Sequence, residues 1–191
     1  MRLSLTVAAA IALLAAGCGR ERRPITSVQR NLEPAKAFKT FPLYFLGGTY
    51  RGLPMTDDGS ASVASYSPQA QIAFAYGHCA PEPREEHQTC HPPVEVKNYG
   101  CAYTLRGWVP RRTVSLRGAH ARIYYDYGAF YDVRIATGRT TVVIHAKDER
   151  AALAIARSLR SVDGQVSPTS PFPPPVRLTP RLQTRLCGRW G

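Results

Sequence analysis

Four cysteines and three of the histidines are the residues best equipped for chemistry. Cys79, Cys90, Cys101 and Cys187 are even in number, and His78, His87 and His91 cluster around the first two. Oxidised in pairs, the thiols would be structural disulfides. Left reduced beside imidazoles, they would suit zinc or copper. The spacing departs from standard zinc sites, because no Cys-x-x-Cys occurs, and Cys90-His91 lacks the upstream cysteine of a haem attachment. Three pairings are open. Cys79 with Cys90, and Cys101 with Cys187, are expected. The first closes a short charged loop, residues 80–89, which a disulfide would stabilise by about 3 kcal/mol on the chain-entropy model. The second would pin the C-terminal tail.

Other groups offer less. Asp57-Asp58 and Glu85-Glu86 are paired carboxylates, but acid–base work needs two carboxyls in unlike environments, and these sit in polar, glycine- or proline-containing stretches. There is no Gly-x-Ser-x-Gly elbow, phosphate loop or His-Glu-x-x-His, so no catalytic residue is assigned. Ile123-Tyr124-Tyr125-Asp126-Tyr127 and Phe130-Tyr131 form an aromatic run. Exposed, it would stack on sugars, with Asp126 or Asp132 taking hydroxyls. The expected role is plainer, with alternate tyrosines packing across a sheet.

Hydrophobic periodicity supplies the elements. Strands are expected at 41–46, 71–76, 94–97, 113–116, 121–127, 131–136 and 140–146, the last two joined by Thr137-Gly138-Arg139. Val142-Val143-Ile144 is apolar without a break, which predicts burial on both faces. A helix is expected over 148–162, capped by Asp148, with Leu153, Ile155, Ala156, Leu159 and Val162 on its apolar side and Gly164 as its stop. The fold class is therefore α+β: a mainly antiparallel sheet covered by one C-terminal helix. Residues 41–166 make the globular domain. Residues 167–191, with Pro173-Pro174-Pro175 followed by Leu178, Leu182, Leu186 and Cys187, form a proline-rich strap laid back over it.

The N-terminus carries an address. Arg2 precedes an uncharged apolar stretch, LSLTVAAAIALL, too short to span a bilayer, and Ala15-Ala16-Gly17 leads into Cys18. Residues 1–17 read as an export signal. Leu14-Ala15-Ala16-Gly17-Cys18 resembles the bacterial lipobox, although leucine is commoner where Ala15 stands. The resemblance implies a diacylglyceryl thioether on Cys18 and cleavage before it. Acyl chains in pairs hold a protein stably on a membrane. Residues 18–40 then read as a basic tether, with Arg20, Arg22, Arg23, Arg30, Lys36 and Lys39 against Glu21 and Glu33.

The formal net charge is +12, and losing Arg2 with the signal leaves +11. For an exported chain this points away from nucleic acid and towards anionic lipid headgroups or an acidic cell-wall polymer. The segments PLYFLGGTYRGLPMT (42–56), AYGHC (75–79), PPVEVKNYGCA (92–102) and GRTTVVIHA (138–146), in that order, resemble a group of uncharacterised actinobacterial membrane lipoproteins. In that group leucine is commoner where Met55 stands. The resemblance implies a membrane anchor, paired cysteines and one small domain. The leading functional expectation is a non-enzymatic, lipid-anchored domain on the outer face of the cytoplasmic membrane that binds or organises an envelope component, with no cofactor. The alternatives are a metal-binding surface protein using His78, His87 and His91, and an envelope-polymer hydrolase.

Overall fold

The computed structural model describes residues 27–56, 71–78, 80–81, 90–100, 109–126, 130–179 and 181–182. In chain order its elements are α1 (Ser27–Ala37), β1 (Tyr44–Phe45), β2 (Thr49–Tyr50), β3 (Leu53–Thr56), β4 (Gln71–Tyr76), β5 (Ala80–Pro81), β6 (Cys90–His91), β7 (Val94–Tyr99), β8 (Arg112–Leu116), β9 (Ala119–Asp126), β10 (Phe130–Thr137), β11 (Thr140–Ala146), α2 (Glu149–Ser158) and β12 (Arg160–Ser161). Eight strands form one sheet in the order β2-β3-β4-β7-β11-β10-β9-β8, with every pairing antiparallel. The α+β class and the C-terminal covering helix are as expected.

Turn chemistry fixes the hairpins. β2 and β3 are joined by Arg51-Gly52, and β8 and β9 by Arg117-Gly118, each pair at positive φ. Two-residue hairpins favour turns with both central residues left-handed, because their twist matches that of the strands. β10 and β11 are joined by Gly138-Arg139.

Alternation places Ile123, Val133, Ile135, Val142, Ile144, Val96, Ile72 and Phe74 on one face, in a single cluster with Ala152, Leu153, Ile155 and Ala156 of α2. This helix lies over β10 and β11. Asp148 caps it, its carboxylate accepting the Ala151 N–H at 2.7 Å. The helix is shorter than expected. It stops at Ser158, and Leu159 is extended and fully buried. The chain then turns into β12, which pairs with β1, and Gly164 serves that later turn.

The β1 segment crosses the helix face of the sheet and is stitched there by side chains. Asn98 of β7, fully buried, accepts the Tyr44 N–H at 2.7 Å and donates to the Tyr44 carbonyl at 3.0 Å. Tyr76 Oη accepts from Leu46 N and donates to the Gly47 carbonyl. The hydroxyl of Thr140 donates to the Pro42 carbonyl at 2.6 Å. The strap follows the same side. Phe172 is buried edge-on against Tyr44, and Val176 donates its N–H to the Gly138 carbonyl at 2.7 Å. Arg117 holds the strap by donating to the carbonyls of Leu159, Ser167 and Ser170 and stacking on Phe172 at 4.0 Å.

One boundary needs correction. The stretch 18–40 was expected as a tether, but 27–37 is helical, with Ala35 buried in the core and Phe38 edge-on to Phe41 at 4.8 Å. Leu32, Ala35 and Phe38 recur at three-residue steps, a short apolar stripe that gives this helix a face to bury. The packed domain therefore begins before Phe41.

Candidate functional site

The face of the sheet opposite α2 carries the polar groups. Register aligns Ala75, Glu95, His145, Asp132 and Tyr124 in one row across β4, β7, β11, β10 and β9. The next row contains Ala73, Lys97, Val143, Arg134 and Arg122. Asp132 is the hub. One of its oxygens meets Nδ1 of His145 at 2.9 Å, and the other accepts from Arg134 at 2.9 Å. The Arg134 guanidinium lies over the Tyr124 ring at 4.4 Å, and the imidazole stacks on Phe130 at the same separation. Glu95 and Lys97 form a further pair at 2.9 Å. Burial works to raise the Asp132 pKa, but the hydrogen bonds from His145 and Arg134 outweigh it and hold the carboxyl below its usual range. A carboxylate on Nδ1 orients an imidazole, as in hydrolytic triads. The row neighbours of this imidazole are the carboxylates of Glu95 and Asp132, with no hydroxyl or thiol beside it in the row. Asp132 thus ties Arg134 and His145 together within the sheet, with the Glu95–Lys97 pair on the same face.

The aromatic run splits by parity. Tyr124 and Asp132 are buried on the polar face, so Asp132 is engaged inside the protein rather than offered to sugar hydroxyls. Tyr125 and Tyr131 share the other face, with ring centroids 5.1 Å apart. Tyr125 is 46% exposed and Tyr131 half-buried. Arg111 approaches both, its guanidinium carbon 5.9 and 6.0 Å from the two centroids, and it donates to the Tyr131 hydroxyl at 3.3 Å. Its own backbone is fixed by a hydrogen bond to the Ile123 carbonyl at 2.8 Å. Beside it, Arg112 is ion-paired with Glu149 at the start of α2. The expected cross-sheet packing of tyrosines is present in this pair, but its outer side faces solvent with a cation at its edge. Sequence reasoning named the tyrosines and missed Arg111. The alternation of β9 against β10 was the signal that could separate the two faces.

The cysteine–histidine region is only partly within the described residues. His78 is exposed after β4. β5 and β6 pair Ala80 with His91 and Pro81 with Cys90, which brings the two ends of that loop together. Cys18, Cys79, His87, Cys101 and Cys187 lie outside the described residues, as do Asp57-Asp58, Glu85-Glu86 and Tyr127. Among the described residues, no group of three or more His, Cys, Asp or Glu is placed to hold a metal, and no helix is long and apolar enough to cross a membrane. No protein-family model, curated protein or solved structure matches this chain.

Proposed function

We propose that this chain is a lipid-anchored extracytoplasmic lipoprotein whose domain binds an anionic envelope polymer without chemically altering it. The observation that carries the binding reading is the Tyr125, Tyr131 and Arg111 patch. Two aromatic faces offer rigid contact area at small entropic cost, and a guanidinium adds a forked donor for carboxylate or phosphate. The anchor reading is supported by the apolar stretch before Cys18 and the small residues at 15–17. The net charge of the mature chain favours an acidic partner.

The test is affinity electrophoresis of the mature protein in gels containing a purified phosphate- or uronate-bearing wall polymer, with a neutral polysaccharide as control. Tyr125→Ala and Arg111→Gln should each weaken retardation about tenfold while circular dichroism stays unchanged. Equal retardation by the neutral polymer, or full retention by both variants, would refute the proposal. The hydrolase reading rests on one observation, the Asp132 carboxylate on Nδ1 of His145. It would require that an activity-based hydrolase probe label the protein and that His145→Asn abolish the labelling.

A further inference from the structure

A cleft lies between the end of α1, the β10–β11 turn and the residues after β12. Its volume is about 180 Å³. Phe38, Phe41 and Leu43 line its apolar part. Lys36, Lys39 and Arg139, all exposed, stand around it. These cations come from two segments far apart in sequence, and both are braced. Lys39 Nζ donates to the Lys36 carbonyl at 2.9 Å. On the other side, Gly138 N–H bonds the strap at the Pro173 and Pro174 carbonyls, and Val176 N–H returns a bond to the Gly138 carbonyl. The one acid in the lining, Asp163, is turned to its own loop, where it accepts from the Ser161 hydroxyl and the Gln165 N–H. Lys36 pairs with Glu33 at 2.9 Å, but both side chains are more than half exposed, and such pairs are weak enough to exchange for a better anion.

We infer that this cleft seats the phosphate headgroup of an anionic phospholipid, so that the domain docks on the membrane that carries its anchor. The inference rests on the anchor reading above. Three exposed cations around a cleft with an apolar floor match a phosphate with hydrocarbon beside it. The volume lies below the roughly 300–1,000 Å³ typical of drug-sized ligands and suits a compact group. Chain length adds a second argument. Cys18 is nine residues before Ser27, a reach of about 30 Å at most, and α1 adds about 15 Å. A lipid on Cys18 would therefore keep the cleft within about 45 Å of the headgroups. At such an effective concentration, even a millimolar headgroup affinity suffices.

The experiment uses the mature chain carrying Cys18→Ser, without acyl chains, in co-sedimentation with vesicles. One set contains phosphatidylglycerol and phosphatidylcholine, the other phosphatidylcholine alone. Binding should appear only with phosphatidylglycerol and fall as salt rises. Arg139→Glu should lower the bound fraction at least tenfold, whereas Arg122→Glu, on the opposite face of the sheet, should lower it less than twofold. Val162→Trp, which fills the cleft without changing charge, should weaken binding as Arg139→Glu does. Equal losses from Arg139→Glu and Arg122→Glu would show that diffuse charge is responsible and would overturn the cleft. So would undiminished binding by Val162→Trp, or equal binding to phosphatidylcholine. Failure of the anchor itself shows separately, as absent lipid labelling at Cys18, because this assay needs no acyl chain.

Discussion

Replacing Asn98 with leucine tests how the β1 segment is held. Asn98 is fully buried, and its amide satisfies both main-chain polar groups of Tyr44, at 2.7 and 3.0 Å. Leucine has nearly the same size and neither donor nor acceptor. The Tyr44 N–H and carbonyl would stay buried without these partners, at about 1–3 kcal/mol each. A buried methyl-rich side chain returns part of that. The net loss should be about 3 kcal/mol, a large share of the 5–15 kcal/mol that stabilises a typical domain. For a domain of this size that corresponds to a melting point lower by about 6–12 °C. Urea unfolding of the purified mature protein, followed by circular dichroism, measures it. Ser115→Ala on the exposed side of β8 is the control and should cost less than about 0.5 kcal/mol. A loss below about 1 kcal/mol for Asn98→Leu would refute the idea that this amide fastens β1 to the sheet.

Acid should act through Asp132. Its carboxyl is held below the usual range in the folded state, so the unfolded chain binds more protons, and this contribution disappears as pH falls from about 4 through the folded value. Asp132→Asn should be less stable at pH 7 by about 3–5 kcal/mol, because Arg134 loses its buried counter-charge, and its stability should depend less on pH below 4; an unchanged acid slope would contradict this. Arg117→Ala should expose the strap at 167–176 to limited proteolysis before the rest of the domain, since three carbonyls and the Phe172 ring lose their partner; equal cleavage rates in wild type and variant would refute the clamp. Thiol titration of the unreduced mature protein should find no reactive thiol in Cys79, Cys90, Cys101 and Cys187, with peptide mapping joining Cys79 to Cys90 and Cys101 to Cys187. Two free thiols that appear only after chelation would favour a metal instead.

The legible parts of the fold are those where local chemistry and burial agree. Gln71–Tyr76 and the β10–β11 hairpin read directly from apolar runs and a glycine turn, and Val142, Val143 and Ile144 are buried on both faces as their unbroken hydrophobicity predicts. Asp148 marks the helix start for the same reason that it caps it. The helix end was hidden because Leu159 and Val162 continue the three-residue rhythm while their backbone no longer does. Apolar spacing reports which residues are buried, not how the chain gets there. The β2–β3 hairpin was hidden because its strands are two and four residues long and its Arg51-Gly52 turn lacks the usual asparagine or aspartate. α1 was obscured by its charges and by Pro34. The patch was half visible: Tyr125 and Tyr131 stand in an evident aromatic run, but Arg111 joins them only through the pairing of β8 with β9. The Asp132, Arg134 and His145 network needed the β10–β11 register, which sets Asp132 opposite His145 across thirteen residues.

Membrane attachment through Cys18 is the claim on which the functional account turns. Cells fed a clickable fatty-acid analogue and expressing either wild type or Cys18→Ser, separated into membrane and soluble fractions, test it most directly. The account predicts a labelled wild type confined to membranes, and an unlabelled variant that is released or left unprocessed. An unlabelled wild type, or a variant labelled as strongly as wild type, would contradict it.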